Sequence, residues 1–173
     1  NGHRKPYNVK HWEVGNELWG RWQYNWTTPA GYVDRHRRFV QAIRAADRDI
    51  RLYACGAPVT WGKEWNAALI AGAAGAINTI TDHSLIGGNV PLSTEPMDVY
   101  RDFMAVPDVV EKKWAAVRDQ MFRQGIREPH LALTELQVFA QLGELPPNTE
   151  RKLNWSRFIT PDTQAEAMYG ILY

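Results

Sequence analysis

The sequence predicts a parallel α/β fold, and three observations carry that prediction. Short apolar runs alternate with amphipathic or Ala-rich segments in the order β-α-β-α-β-α-β-α. The apolar runs have continuous cores, as strands covered by helices require. No GxGxxG or GxxxxGK[ST] follows any of them, so the glycine-rich turn that cradles phosphate in a nucleotide-binding open sheet is missing. Half of a (β/α)8 barrel and a doubly wound open sheet both satisfy this order, with right-handed crossovers in either case.

The elements follow in chain order. Residues 9–16, VKHWEVGN, read as a strand that ends at Gly15-Asn16. Thr28-Pro29 supplies an N-cap and a proline at the first helical position, and Tyr32, Phe39, Val40 and Ile43 recur at helical spacing, so a helix is expected over 29–46. IRLYACGAP (50–58) is a second strand, 64–76 a small-residue helix, and INTITDHSL (77–85) a third strand. A loop of about twenty residues (86–107) follows, punctuated by Gly87-Gly88 and ending past Pro96. Asp108 and Glu111 form a capping box for a third helix whose apolar face is Val110, Trp114, Val117 and Met121, and Gly125 is placed to end it. HLALTE (130–135) is the fourth strand; a second long loop (136–160) then leads to Thr160-Pro161, another helix start.

Composition removes several function classes. The chain has 173 residues and a net charge of +1, so its balance calls for neither nucleic acid nor an anionic membrane. The run Arg35-His36-Arg37-Arg38 is interleaved with Asp34, Asp47 and Asp49 nearby and reads as a solvated helix face. Only Cys55 is present, which leaves no intrachain disulfide and points to a cytoplasmic protein, an export signal upstream being the other possibility. No apolar stretch is long enough to span a bilayer. The five histidines show no HExxH or paired spacing, so no metal and no cofactor is expected. Ser84, Ser93 and Ser156 lack the glycine frame of a nucleophile elbow. Trp65, Trp114 and Trp155 read as packing residues.

In parallel α/β folds, functional residues gather at the carboxyl ends of strands. Two of the four strand ends carry glutamate: Glu17 after the first strand and Glu135 at the end of the fourth. In an eight-stranded barrel these strands lie three positions apart, and the two side chains face each other across its mouth. Two facing carboxyl groups are the equipment of glycoside hydrolysis. One is kept protonated by an apolar or like-charged setting and delivers a proton to the leaving oxygen; the other attacks the anomeric carbon. Asn16 offers an amide for a neighbouring hydroxyl. Strict alternation sends Asn16 and Glu17 to opposite faces, so a bulge or strand-end turn is needed, and Gly15 makes that bend cheap. Trp12, Trp19, Trp22 and Trp26 offer flat faces to the apolar C–H side of a sugar ring.

These residues also carry a resemblance. KHWEVGNELWG resembles the acid/base segment of family 51 α-L-arabinofuranosidases, in the clan of retaining (β/α)8 glycosidases that place Asn-Glu at the end of barrel strand 4 and a second Glu at the end of strand 7; LALTE is similar to that second segment. The resemblance implies a partial (β/α)8 TIM barrel, strands 4 to 7 with their helices, with 1–173 a fragment of a single catalytic barrel. It implies Glu17 as general acid/base, Asn16 as the hydroxyl-binding neighbour and Glu135 as the nucleophile. Trp19 and Gly20 then shape the loop around the substrate. The implied substrate is an arabinose-containing oligosaccharide or polysaccharide, from which terminal α-L-arabinofuranosyl residues are released by double displacement, by a full-length protein that forms a homo-oligomer. Two departures fall in the sugar pocket. Where the family has a Ser-x-His-Tyr segment this chain has DHSLIGGN, with His83 as partial substitute, and Leu136-Gln137 stands where Trp-Asn commonly follows the nucleophile. The competing readings are another clan glycosidase (an endo-glucanase, xylosidase or glucuronidase), a carbohydrate-binding homologue without catalysis, and a plain structural α/β domain.

Overall fold

A computed structural model of the chain describes residues 2–91 and 93–142. Eight elements follow one another: β1 (His11–Val14), α1 (Pro29–Ala46), β2 (Arg51–Ala54), α2 (Lys63–Ala73), β3 (Thr79–Val90), α3 (Pro96–Met104), α4 (Val106–Arg123) and β4 (His130–Leu142). The four strands form one all-parallel sheet in the order β1-β2-β3-β4. Each strand therefore lies beside its predecessor, with no reversal of direction of the kind that makes a switch point in a doubly wound sheet.

The two faces of the sheet decide the architecture. Val14, Leu52, Ala54 and Ile80 point one way and pack against α1, α2 and α4, in clusters that include Tyr32, Val33, Val40, Trp65, Leu69, Ile70 and Met121. Glu13, Thr81 and His83 point the other way and meet one another's neighbours across the sheet. All the packed helices lie on one side and polar groups converge on the other, which makes this half of a (β/α)8 barrel.

The local signals behave as their chemistry requires. Thr28 caps α1, its Oγ1 accepting from Gly31 N at 3.2 Å, a contact worth about 1 kcal/mol. At the end of α4, Gly125 N donates to Phe122 O and Ile126 N to Met121 O, the paired bonds of a Schellman motif, with Ile126 and Met121 packed in the same cluster. Trp65 is buried in the main core, its Nε1 donating to Cys55 O. No helix among the described residues is long and apolar enough to cross a membrane.

Three expectations are corrected. Residues 86–107 do not form a loop: β3 runs on to Val90, and Pro96 opens α3, whose Val99 and Phe103 are buried. Proline at a helix start needs no N–H partner, so it reads as a breaker in sequence while serving as a beginning. β4 likewise continues to Leu142 instead of ending at Glu135. The Asp108–Glu111 capping box does not form, because α4 starts three residues earlier behind Ala105, leaving Asp108 inside the first turn, where its charge favours the helix dipole. The remainder of the expected second loop, Trp155 and the Thr160-Pro161 helix start lie outside the described residues.

Candidate active site

β1 ends at Val14, and the chain turns at once. Gly15 has φ +99° and Glu17 φ +49°, both in the left-handed region, and Gly20 N closes the turn on Glu17 O at 2.7 Å. A left-handed glutamate costs on the order of 1 kcal/mol or more, and what it gains is direction: the carboxylate is swung over the polar face of the sheet. The bend expected at Gly15 is thus a strand-end turn. Asn16 stands exposed beside it.

The opposite wall is set by a β-bulge. β3 and β4 pair Asp82 with Leu133 and then His83 with Glu135, so Thr134 is the extra residue. Without it Glu135 would share the helix-facing side with Leu131 and Leu133. With it, Leu136 takes that side, packing in the same cluster as Leu133, and Glu135 turns to the polar face. Asp82, immediately before the bulge, is fully buried and accepts from Val59 N (2.9 Å), Ser84 Oγ (2.6 Å) and Trp114 Nε1 (2.8 Å). It ties the β2–α2 loop and α4 to the strand at the point where His83 is aimed.

Glu17, His83 and Glu135 meet. His83 Nδ1 lies 2.9 Å from Glu17 Oε1 and 3.6 Å from Glu135 Oε1. The His83 side chain is 1% exposed, that of Glu17 12% and that of Glu135 44%, so the trio grades from core to solvent. One ligand atom from each of the three lies within 4.8 Å of the others, close enough to meet on a single cation; sequence spacing did not reveal this grouping, since Glu17 follows β1 while His83 and Glu135 lie within β3 and β4. The other oxygen of Glu17 accepts from Trp22 Nε1 (3.0 Å) and Gln23 Nε2 (3.5 Å). Trp19 is half-buried, its Nε1 donating to Gly56 O at 2.9 Å.

One layer down sits a carboxyl group that strand-end reasoning missed. Glu13 accepts from Thr81 Oγ1 at 2.7 Å. The available signal was alternation: His11 and Glu13 share one face of β1, Trp12 and Val14 the other. The two glutamates of this strand differ electrostatically. Burial pushes Glu13 above the usual carboxylate range, more than the Thr81 bond holds it down. Burial pushes Glu17 up too, but the bonds from His83, Trp22 and Gln23 outweigh it, and its net shift is downward. Burial is thus the dominant influence on Glu13, whereas the three donors that converge on Glu17 outweigh the apolar setting expected to keep that group protonated.

Relatives of known name match parts of this chain. Alpha-L-arabinofuranosidase C of Emericella nidulans is 40% identical over 63 residues, 35% of this chain and 12% of that protein. A probable alpha-L-arabinofuranosidase C of Aspergillus clavatus is 32% identical over 94 residues, 54% of this chain and 16% of that protein. The chain thus spans less than a fifth of the length of either. Among solved structures, a family 51 alpha-L-arabinofuranosidase of Bifidobacterium longum superposes with TM-score 0.65 at 21% identity over 80% of this chain and 29% of its own. An alpha-L-arabinofuranosidase of Thermotoga maritima, solved as an arabinose complex, superposes with TM-score 0.61 at 23% identity over 83% of this chain and 28% of its own. At these identities the superpositions speak for the fold. The model of the alpha-L-arabinofuranosidase 1 domain matches residues 1–90 of the 173, more than half of the chain, and the chain belongs to that family.

Proposed function

We propose that this chain supplies the catalytic pair of a retaining α-L-arabinofuranosidase, as β/α units four to seven of a larger barrel. The observation that carries the reading is the meeting of Glu17 and Glu135 on His83, with carboxylate oxygens within 4.8 Å. Retaining glycosidases hold their two carboxyl groups about 5–5.5 Å apart, whereas inverting enzymes need roughly 6.5–9.5 Å to admit water. Among the described residues β1 lies at the edge of the sheet, which supports the larger barrel. A groove of about 790 Å3, lined by Trp12, Val14, Arg35, Phe39 and Ile43, runs beside it, where an eight-stranded barrel seats its preceding unit.

In this reading Glu135, the more exposed carboxylate, attacks the anomeric carbon of a terminal α-L-arabinofuranosyl unit of a hemicellulosic or pectic chain. The bond to the leaving oxygen breaks as Glu17 hands that oxygen a proton. Water then attacks the same carbon, Glu17 takes a proton from it, and the Glu135 ester bond breaks. Three donors favour ionised Glu17 before substrate arrives, and His83 Nδ1, 2.9 Å from Oε1, orients the carboxyl group toward the leaving oxygen. Asn16 binds the hydroxyl beside the reacting carbon.

The test is hydrolysis of a glycoside panel by the full-length enzyme, with Glu17→Gln and Glu135→Gln beside the wild type and the first-formed sugar followed by proton NMR. We expect the α-L-arabinofuranoside to be preferred, the retained anomer to appear first, and each variant to lose about a thousandfold or more in kcat, the scale of losing a catalytic group. First appearance of the inverted anomer would overturn the mechanism; preference for another glycoside would overturn the substrate assignment alone.

A further inference from the structure

The first two strands stop pairing one rung short, and a side chain stands where that rung belongs. In a parallel ladder the bonds are evenly spaced, and alternate residues turn both N–H and C=O toward the same neighbour. Arg51 N donates to Lys10 O at 2.7 Å, and His11 to Val14 pair in register with Arg51 to Ala54. Two residues on, this register sets Tyr53 N opposite Trp12 O; two further, it sets Cys55 N opposite Val14 O. That last bond is not made. Cys55 N donates to Tyr32 Oη at 2.6 Å, and the same hydroxyl donates to Val14 O at 2.7 Å. One oxygen from α1 is thus inserted between the two strand ends.

The tyrosine is held from several sides. It is 1% exposed, its ring lies 5.1 Å from that of Trp65, and Tyr32 N donates to Thr28 O at 2.9 Å in the capped first turn of α1. Trp65 Nε1 in turn donates to Cys55 O at 2.9 Å. Val14 is the last residue before Gly15 (φ +99°), and the left-handed Glu17 comes two residues after that glycine. Gly15 lies against the Tyr32 ring, where a Cβ would stand 3.7 Å from Cε2. The far side of the turn is tied to the same strand exit, through Trp19 Nε1 and Gly56 O at 2.9 Å. The segment that presents Glu17 therefore hangs between fastenings on two consecutive residues, Cys55 and Gly56, and the first of them is the Tyr32 hydroxyl.

Resting on the glycosidase reading above, we infer that Tyr32 is a positioning residue for the proton donor: its hydroxyl spreads the ends of β1 and β2 by the width of an oxygen, and so sets where the Glu17 carboxyl meets His83 and Glu135. Without the hydroxyl, two buried backbone groups lose their partner, and they recover one by closing directly on each other as the register dictates. That closure draws Val14 toward Cys55 and carries the turn with it. Glu17 meets His83 at 2.9 Å, and a displacement of about 1 Å at a reacting group costs on the order of a hundredfold in rate. Tyr32 itself packs in the core on the helix side of the sheet. It reaches the reacting groups only through this backbone.

The test uses the full-length enzyme as wild type, Tyr32→Phe and Val33→Ala. Val33 is buried in the same cluster on the same helix, so its truncation loosens packing and leaves the inserted hydroxyl in place. Methyl α-L-arabinofuranoside needs a proton on its departing oxygen, whereas p-nitrophenolate leaves with little help, so the two glycosides separate proton donation from the rest of the first step. We expect Tyr32→Phe to lower kcat/KM about a hundredfold for the methyl glycoside and about tenfold for the p-nitrophenyl glycoside, with the ratio unmoved in Val33→Ala. Partial unfolding lowers both substrates alike. An unchanged ratio in Tyr32→Phe, or an equal shift in Val33→Ala, would overturn the positioning role while leaving the catalytic reading intact. If the wild type cleaves neither glycoside, the glycosidase reading fails, and the crystal structure of Tyr32→Phe judges the inference. A direct bond from Cys55 N to Val14 O with Glu17 Oε1 displaced from His83 supports it, and an unmoved Glu17 overturns it. If that variant does not fold, the wild-type crystal structure decides: Tyr32 Oη bonded to both backbone groups supports the inference, and a direct Cys55 N to Val14 O bond overturns it.

Discussion

The two faces of this sheet hold buried carboxyl groups to opposite ends. On the helix side, Asp82 has three donors from three different segments and no exposure; it fastens the fold. On the barrel side, Glu17 also has three donors, but it is partly exposed and stands on a strained, left-handed residue facing Glu135. Glu13, beneath it, has one donor and a pKa raised by burial. A carboxylate that must only hold is bonded and sealed from water. Those on the polar face keep capacity in reserve, and the helix side supplies the rigidity that makes this tolerable.

The largest effect expected from breaking this contrast is at Asp82. Asp82→Ala leaves Val59 N, Ser84 Oγ and Trp114 Nε1 without their acceptor, and unsatisfied buried donors cost about 1–3 kcal/mol each. We expect a loss of about 4 kcal/mol in urea unfolding, partly offset by relaxation, with Asp82→Asn losing less because it keeps one acceptor oxygen. A loss under about 1 kcal/mol for the alanine variant would show that Asp82 does not fasten these segments.

The second effect is a pH dependence that belongs to the helix side. His36 of α1 is fully buried, its Nδ1 3.3 Å from Tyr32 Oη, and its Nε2 has no partner among the described residues. The Tyr32 hydroxyl donates to Val14 O at 2.7 Å. Burial lowers the His36 pKa from 6.5 to about 4, and the Ala76 backbone beside the ring opposes the effect of burial in part. The sign follows directly: the unfolded chain binds the proton first as pH falls. His36 therefore withholds nothing from stability above about pH 6.5 and destabilises progressively from there down to about pH 4, by up to about 3 kcal/mol. His36→Leu should flatten the stability profile across that window; an unchanged slope would mean the proton is taken up elsewhere.

How much of this was legible in the sequence differs in the same way between the faces. The helix from 29 to 46 was read with its bounds because Thr28, Pro29 and a 3.6-residue apolar period are local facts. The turn that carries Glu17 was legible because Gly-Asn-Glu announces a strand end; Glu135 was read as closing its strand but lies within β4 and reaches the polar face through the bulge, and the shared contact with His83 was not legible. The Thr134 bulge was hidden, since LALTEL alternates no differently with it than without it, and register is decided by what Leu133 and Leu136 pack against. Helix α3 was hidden for the converse reason, its proline being read as an end. Gln23 carried no signal at all, because it reaches Glu17 only through a turn whose φ angles no residue type announces.

The smallest effect is the most diagnostic of the polar face. Glu13 has its carboxyl pKa raised, chiefly by burial, with the Thr81 bond opposing. For a carboxyl group the sign runs against the usual case. The folded chain keeps the proton after the unfolded chain, near the ordinary value of 4.5, has released it, so Glu13 costs stability as pH rises through its folded pKa and the cost persists above it. Glu13→Gln keeps an acceptor for Thr81 Oγ1 and removes the charge. It should stabilise the chain at pH 7 by a fraction of about 1 kcal/mol and make no difference at pH 4, where both forms are neutral. Thr81→Val, which deprives Glu13 of its one donor, should destabilise at pH 7 by about 1 kcal/mol. If Glu13→Gln instead destabilises at pH 7 and not at pH 4, the ionised carboxylate is a wanted charge, facing His83 across the floor of the site, and the division of labour between Glu13 and Glu17 has to be redrawn.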